Sequence, residues 1–193
     1  QYIHLLSNSI SPFTSLEVWL PSGENIDPQR ADQFALGYQR RLSKYNLEFS
    51  SELYYKLMSN QIDYEPHANL LLNRLMEGEL RYGKARSYGI ELLLQRSRGR
   101  LNGWMNYTYS RVFRETPRIN NGQVYRAFRD RPHDFSIFLN YRLGKRTYMS
   151  GSWSYYTGSA ISIPSSFYQF DGETIPVYSE KNNARLPDYH RLD

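Results

Sequence analysis

The sequence of 193 residues predicts an all-β fold, namely an antiparallel β-barrel that crosses a membrane with its strands. Three observations lead to this prediction. Apolar and polar residues alternate with period two in several segments, no apolar run is long enough for a membrane helix, and the connections between the segments alternate between short and long. Six complete strands and the start of a seventh are predicted, each with one apolar face for lipid and one polar face for the barrel interior.

The predicted strands follow one another along the chain. In residues 34–42, FALGYQRRL, the alternation is weakest, although Phe34, Leu36 and Tyr38 share one face. In residues 47–57, LEFSSELYYKL, it is regular, and this run has about the 9–11 residues with which a tilted strand crosses a bilayer. The remaining complete strands are predicted at 86–95, 101–111, 133–143 and 147–157, and residues 187–193 begin the seventh.

The alternation also predicts which way the side chains point. A shift of one residue would place carboxylates in hydrocarbon, so each strand has one acceptable facing. The residues predicted to face lipid are Leu47, Phe49, Leu53, Tyr55, Ile137, Leu139, Tyr141, Met149 and Trp153. Those predicted to face the barrel interior are Glu48, Glu52, Asn140, Ser150 and Ser152.

Connections between the predicted strands alternate in length. The short ones are 43–46, 96–100 and 144–146, and the long ones are 58–85, 112–132 and 158–186. Bacterial outer-membrane barrels combine short periplasmic turns with long extracellular loops, so the sequence predicts this class. Tyrosines near both ends fit two interfacial belts. They are Tyr45, Tyr141 and Tyr148 near the short turns and Tyr55, Tyr109 and Tyr155 near the long loops.

Composition narrows the classes further. No apolar run approaches the roughly 18 residues that a membrane helix needs, so a helical membrane protein is excluded. The chain has no Cys, which excludes disulfides and thiolate metal sites. Its net charge of +5 comes from 24 Lys and Arg residues against 19 Asp and Glu residues, and the basic residues are spread over alternate loops and turns. A nucleic-acid partner is therefore not predicted, since such binders gather basic residues on one face.

The predicted orientation implies an incomplete barrel. With the short turns in the periplasm, Gln1 lies on the extracellular side and Asp193 stops within the membrane span, whereas a closed barrel of this class has an even strand number and no open edge. We therefore expect residues 1–193 to form one partial barrel domain, with a first and a last strand that do not pair with each other.

Three stretches of sequence suggest a family. They are GKARSYGIELLLQRSRGRLNGWMNYTYSR at 83–111, INNGQVYRAFRDRPHDFSIFLNYRLGKR at 119–146 and YYTGSAISIPS at 155–165, and they contain the pieces GIEL at 89–92 and RPHD at 131–134. The chain resembles the C-terminal portion of the β-barrel of TonB-dependent outer-membrane receptors, in particular those of Bacteroidetes-type bacteria. Residues 20–42 and 53–64 are similar to the same part of the family.

This resemblance implies a barrel of about 22 strands with an N-terminal plug, of which the chain supplies six to seven strands. It implies a receptor of the bacterial outer membrane that binds a nutrient, such as a siderophore or a glycan, and imports it with energy supplied through TonB. The implied partners are the TonB complex, outer-membrane lipid with lipopolysaccharide, and the nutrient. The plug and the TonB-contacting segment have no counterpart within residues 1–193, and neither an enzyme activity nor a cofactor is expected.

Two sets of loop residues are candidates for ligand binding. Guanidinium groups crowded in one long loop suit an anionic ligand or lipopolysaccharide phosphates, and internal ion pairs explain them equally well. Loop aromatics can stack on a sugar ring or an aromatic iron chelate, or pack the loops together. The arginines are Arg111, Arg114, Arg118, Arg126, Arg129 and Arg131, and the aromatics are Tyr64, Tyr125, Phe128, Phe167, Tyr168 and Phe170. The predicted ligand-binding residues are Arg114, Arg118, Arg126, Arg129, Tyr64, Tyr125, Phe167 and Tyr168.

Other reactive residues predict neither a metal site nor catalysis. The four histidines, His4, His67, His133 and His190, are far apart in sequence, and His133 is expected to make a local hydrogen bond where its strand begins. Polar faces of a barrel need polar groups in any case, which accounts for Glu48, Glu52, Glu91, Asp134, Ser150, Ser152 and Ser154. Two alternatives to active transport stay open, namely a passive porin or structural barrel and an outer-membrane hydrolase with a Ser–His site.

Overall fold

The structure, a computed structural model, describes residues 3–7, 17–65, 68, 73 and 75–193. The strands are β1 (Ile3–Ser7), β2 (Glu17–Pro21), β3 (Arg30–Leu42), β4 (Leu47–Tyr64), β5 (Leu80–Arg96), β6 (Leu101–Glu115), β7 (Tyr125–Arg126), β8 (His133–Arg142), β9 (Tyr148–Tyr156), β10 (Ala160–Ile161), β11 (Ser166–Phe170), β12 (Glu173–Val177), β13 (Ala184–Arg185) and β14 (Tyr189–Leu192). Short 3-10 helices lie at Ser43–Tyr45, Met76–Glu79 and Asn120–Gly122. Within the described residues, no helix is long and apolar enough to cross a membrane.

One antiparallel sheet dominates the structure. Its strands lie in the order β3, β4, β5, β6, β8, β9 and β14, and the short strand β7 adds to β6. This confirms the predicted hairpins of 34–42 with 47–57, of 86–95 with 101–111 and of 133–143 with 147–157, and the start of a further strand near 189. The sheet is an open arc with β3 and β14 at its two edges, so the barrel is not closed by these residues.

The first long connection is shorter than predicted. β4 and β5 both extend well into residues 58–85, which the alternation assigns to a loop. The alternation misses this part of β4 because a β-bulge interrupts it. Met58 lies opposite Ala85 but Gln61 lies opposite Gly83, so β4 has one extra residue at this point. The extra residue reverses the facing of the strand, so a strict period of two no longer marks the residues beyond it.

The register confirms that the side chains predicted to face lipid and those predicted to face the interior lie on opposite faces of the sheet. Directly opposed residues of an antiparallel pair point to the same side of the sheet. Ile137 lies opposite Met105 on one side and Trp153 on the other, whereas Asn140 lies opposite Asn102. Followed from strand to strand, this pairing puts every residue predicted to face lipid on one face and every residue predicted to face the interior on the other. We call these the apolar face and the polar face.

One tyrosine of the predicted interfacial belts is on the other face. Tyr148 lies opposite Arg142, which shares the polar face with Asn140. Closeness to a short turn suggests a belt residue, but Met149 and Trp153 occupy the apolar face of β9, and residues an odd number apart in a strand point to opposite sides. The prediction that Tyr148 belongs to a lipid-facing belt is therefore wrong.

Gly89 makes room for two neighbours in the middle of the sheet. It lies opposite Tyr54, and a methyl group added to it would come within 2.9 Å of the Tyr54 ring and would clash with the backbone carbonyl of Tyr109. We expect Gly89→Ala to lower the free energy of unfolding by about 1–3 kcal/mol, the usual cost of overpacking, in urea titrations of the receptor. Gly144→Ala, in a short turn with open space around it, is the control, and equal losses for both variants would contradict the expectation.

Candidate ligand-binding surface at the long-loop end

The long connections all leave the same end of the sheet, which we call the long-loop end. They join β4 to β5, β6 to β8 and β9 to β14, and the turns at the opposite, short-turn end join the other neighbours. The last long connection, residues 157–188, contains the paired strands β10 and β13 and the hairpin β11–β12. Two buried carboxylates attach this connection to the rest of the long-loop end.

Asp63 is the first of these carboxylates and is 5% exposed. It accepts hydrogen bonds from the Lys181 ammonium of the last long connection, from Arg114 Nη1 at 3.2 Å and from the Tyr125 hydroxyl at 2.6 Å. The Lys181 side chain is itself buried, and its Nζ donates to the Tyr64 carbonyl oxygen at 2.9 Å and lies 3.9 Å from the centre of the Tyr64 ring. Buried charges need such partners, so this Asp63 cluster ties the last long connection to β4, β6 and β7.

The surroundings of Asp63 keep its carboxyl group ionised. Burial raises the pKa of this group, but the charges of Lys181 and Arg114 and the hydrogen bonds from Lys181 and Tyr125 outweigh burial and hold the pKa below its usual range. Asp63 lies after the bulge, beyond the stretch 47–57 that is long enough to cross a bilayer. Burial and the Asp63 charge raise the pKa of the Tyr125 hydroxyl. At neutral pH Asp63 is therefore an anion and Tyr125 a neutral donor.

Asp130 is the second carboxylate. It lies in the chain segment that connects β7 to β8 and is completely buried. It accepts hydrogen bonds from the Arg185 guanidinium of the last long connection, from Arg111 Nε at 3.1 Å and from the Val112 amide at 2.8 Å. Arg185 also donates to the Gly158 carbonyl oxygen at 3.1 Å. This second cluster therefore joins the last long connection to β6 and to the loop that follows β6.

The crowded arginines of the second long connection divide into two groups. Arg111 and Arg114 form the buried ion pairs just described, and Arg131 donates to Ser159 Oγ at 3.0 Å while its guanidinium lies over the Tyr156 ring. Arg131 is nevertheless exposed, as are Arg118, Arg126 and Arg129. Buried ion pairs thus account for Arg111 and Arg114, whereas the other arginines of this connection are exposed.

The residues predicted to bind a ligand differ in exposure. Arg114, Tyr64 and Tyr125 belong to the Asp63 cluster, where Tyr64 and Tyr125 are buried. The exposed members of the predicted set are Arg118, Arg126, Arg129, Phe167 and Tyr168. The structure thus gives the first group a role in holding the loops together, and ligand binding by the exposed group stays a prediction.

The hairpin β11–β12 lies within residues 158–186, which the alternation assigns to a loop. Its strands are joined by Asp171 and Gly172, with φ angles of 49° and 80°. Positive φ at both central residues is typical of the two-residue hairpin turn that Asp-Gly favours. The Asp-Gly pair between two short runs rich in β-branched and aromatic residues is therefore the sequence signal for this hairpin.

Three aromatic side chains of this hairpin are strongly exposed. The exposed fractions are 63% for Phe167, 51% for Tyr168 and 67% for Phe170. Successive side chains of a strand point to opposite sides, so Tyr168 and Phe170 share one side and Phe167 is on the other. Apolar groups gathered at the surface are typical of binding sites, which makes this hairpin a candidate for contact with a ligand.

Two of the described histidines, His4 and His133, have hydrogen-bond partners within the protein. His4 is completely buried. The predicted local hydrogen bond of His133 is present, since its ring Nδ1 lies 2.8 Å from the Tyr107 hydroxyl and its amide donates to Thr157 Oγ1 at 3.2 Å. His67 lies outside the described residues. Among the described residues, no group of three or more His, Asp and Glu side chains is placed to hold a metal ion.

The carboxylates and hydroxyls considered for catalysis line the polar face. Glu52 and Glu91 lie directly opposite one another, and the Glu48 carboxylate accepts hydrogen bonds from Arg41 and Gln39. The serines of β9 lie opposite residues of β8, with Ser150 opposite Asn140, Ser152 opposite Phe138 and Ser154 opposite Ser136. Asp134 of β8 lies opposite Thr108 of β6. These neighbours fit the lining of an aqueous or plugged interior.

Comparison with known proteins gives one family. The family model described as TonB dependent receptor-like, beta-barrel matches residues 6–193. No curated protein and no solved structure matches the chain. The matched range includes every strand of the main sheet and every residue predicted to bind a ligand.

Proposed function

This chain belongs to the TonB dependent receptor-like β-barrel family, and on this premise we propose that it is part of a receptor that binds an extracellular nutrient and imports it with energy supplied through TonB. The family consists of outer-membrane transport receptors, which agrees with the predicted family. We propose transport rather than catalysis for this chain, because its acidic and hydroxyl side chains on the polar face have structural neighbours.

In this proposal the long-loop end is outside the cell and the short-turn end is in the periplasm. The supporting observation is the sorting of the connections by length, which is typical of outer-membrane barrels. At the short-turn end a few residues join successive strands, whereas the last connection at the long-loop end covers residues 157–188 and folds into strands of its own. The apolar face then contacts lipid, and the polar face lines the barrel interior.

Nutrient capture is proposed at the exposed part of the long-loop end. The observation that carries this proposal is the hairpin β11–β12, which presents Phe167, Tyr168 and Phe170 on a connection anchored by two buried ion-pair clusters. A surface that is held in place before binding loses less conformational freedom when a ligand arrives. The aromatic rings suit a sugar or an aromatic chelate, and Arg118 and Arg129 suit its anionic groups.

Energy coupling separates this proposal from a passive porin. Cells that produce the complete receptor are grown in a defined medium, and the compounds removed from the medium are quantified by mass spectrometry. We expect one class of nutrient to disappear only when both the receptor and TonB are present. Removal that continues in a TonB-deficient strain would instead identify a passive pore, and cleavage products that accumulate outside the cells would identify a hydrolase.

The hairpin can be tested in the same cells. The triple variant Phe167→Ser, Tyr168→Ser, Phe170→Ser should lower receptor-dependent uptake at limiting nutrient by about tenfold or more, because exposed aromatic anchors often account for most of a binding energy. The control is Tyr148→Ser, which removes a tyrosine of 58% exposure from the short-turn end. Unchanged uptake by a folded triple variant would exclude the hairpin from nutrient binding.

A further inference from the structure

Three arginines surround one aromatic ring on the apolar face at the long-loop end. Phe113 lies opposite Arg86 of β5 on one side and opposite Arg126 of β7 on the other. The guanidinium carbons of Arg86 and Arg111 lie 5.6 Å and 4.7 Å from the centre of the Phe113 ring. Opposed residues lie about 5 Å apart, so Arg86 and Arg126 start about 10 Å from one another and can reach a common group over the ring. We call Phe113 with these arginines the arginine patch.

The arginine patch continues the surface that faces lipid. Tyr55 and Tyr88 stack with ring centres 6.5 Å apart, and Tyr88 and Phe113 stack at 6.4 Å. Leu57, half exposed, lies opposite Arg86. Aromatic rings followed by basic side chains at the edge of an apolar band are typical of the boundary between hydrocarbon and lipid headgroups. The patch is thus placed where headgroups lie.

The patch also carries charge that its protein neighbours leave unneutralised. Arg86 and Arg126 are exposed, and neither forms an ion pair with another described residue. A cavity of about 150 Å³ opens beside Arg86 and Phe113. Two carboxylates at neighbouring positions have a cation of their own, with Arg111 for Asp130 and Arg30 for Asp32. A third, Glu115, lines the same cavity and lies opposite Lys84, whose charge balances it. An anion on the patch would therefore meet two unpaired guanidinium groups.

From this arrangement we infer that the arginine patch binds the phosphate group of a phosphorylated lipid in the outer leaflet of the membrane. Arg86 and Arg126 are the phosphate ligands, because guanidinium groups match phosphate oxygens in geometry and charge. The acyl chains lie along Tyr55 and Tyr88, which is why the occupant is a lipid rather than a free anion. The inference rests on the proposed orientation, in which the long-loop end is outside the cell.

Lipid A provides a direct probe of the patch. The complete receptor is purified in detergent, stripped of lipid and titrated with lipid A, with dephosphorylated lipid A and with inorganic phosphate, and binding is followed by native mass spectrometry. Each basic side chain near an anionic lipid surface contributes about fivefold to binding. We expect Arg86→Gln with Arg126→Gln to weaken lipid A binding by about 30-fold, to about the level of the dephosphorylated lipid. The double variant Arg86→Lys, Arg126→Lys, which keeps the charges, should retain most of the binding.

The control and the opposing outcomes separate the patch from a general attraction to basic protein. The control double variant Arg98→Gln, Arg146→Gln removes two exposed charges at the short-turn end and should leave lipid A binding unchanged. Equal binding of both lipid forms, or full binding by the Arg86 and Arg126 double Gln variant, would overturn the inference. Displacement of lipid A by an equal concentration of inorganic phosphate would also overturn it.

Uptake measured on the same variants distinguishes this inference from the proposed function. Loss of lipid A binding with normal TonB-dependent uptake supports both proposals. If the unmodified receptor transports normally but binds lipid A and dephosphorylated lipid A equally, the lipid site alone is overturned. A receptor without TonB-dependent uptake that still loses lipid A binding on substitution of Arg86 and Arg126 overturns active transport and leaves the lipid site standing.

Discussion

Asp63→Asn should destabilise the docked last long connection by about 3–5 kcal/mol, the usual cost of removing one partner from a buried ion pair. The substitution keeps the size of the side chain but removes the charge that faces Lys181 and Arg114. Lys181 is 3% exposed, so its ammonium would be left buried with hydrogen-bond acceptors but without a counter-charge. The connection relieves this cost when Lys181 swings out to water.

Cleavage by a lysine-specific protease measures this release. The chain has five lysines, and Lys181 is the one within residues 157–188, so a cut after Lys181 reports the opening of this connection. When reclosing is faster than cleavage, the rate follows the open population. A loss of about 3–5 kcal/mol should then raise the cleavage rate at Lys181 by about two to four orders of magnitude.

Asp32→Asn is a matched control, because it removes the same charge from an exposed pair. Asp32 lies 3.6 Å from Arg30, and both side chains are more than half exposed. Exposed ion pairs of this kind contribute little to stability, so cleavage after Lys181 should stay within about twofold of the unmodified receptor. If Asp63→Asn gave cleavage as slow as this control, the Asp63 cluster would not be what holds the connection.

The main sheet could be predicted because its information is local. A strand with one face toward lipid and one toward a polar interior must alternate along its own sequence, and Leu47, Glu48 and Phe49 already show this pattern. Pairing between successive strands follows from the short turns that join them. The structure departs from the expectation where this local rule is interrupted. The bulge after Met58 reverses the facing of the side chains, so the alternation does not predict the part of β4 that follows it.

The buried clusters could not be predicted because their partners are far apart in the chain. Lys181 is 118 residues from Asp63, and nothing in either neighbourhood points to the other. The arginine crowd in the sequence gave two equal explanations, and only the structure separates Arg111 and Arg114, which are paired internally, from Arg118, which is exposed.

The sequence predicts which loops carry aromatic residues but does not predict which of these residues are exposed. The sequence predicts all four loop aromatics as ligand contacts on the same ground, but Phe167 and Tyr168 are exposed whereas Tyr64 and Tyr125 are buried. Residue type alone does not distinguish an aromatic ring that meets a ligand from one that packs loops together. The hairpin that presents Phe167 has a local signal, the Asp-Gly turn, so this part of the surface was within reach of sequence reasoning.

Leu139→Arg and Asn140→Arg should differ strongly in effect although the two residues are adjacent. Leu139 lies on the apolar face of β8 between Gly103 and Gly151, and it is 43% exposed. Neither glycine offers a polar side chain, so an arginine at this position would meet only hydrocarbon. We expect a loss of about 2–4 kcal/mol in the stability of the inserted barrel, the usual cost of arginine on a lipid-facing strand in the middle of the membrane.

Asn140→Arg places the same side chain on the polar face, where Asn102 and Ser150 are its neighbours across the strands. Their amide and hydroxyl groups and interior water can solvate the guanidinium, so the loss should be much smaller than for Leu139→Arg. Denaturant titration of the complete receptor in lipid vesicles measures both values under the same conditions. The comparison cancels the general cost of a bulky cation in β8 and leaves only the difference between the two faces. Adjacent residues of a strand point to opposite faces, so equal losses would mean that the charge meets the same surroundings on both faces. In that case β8 would not separate lipid from a polar interior.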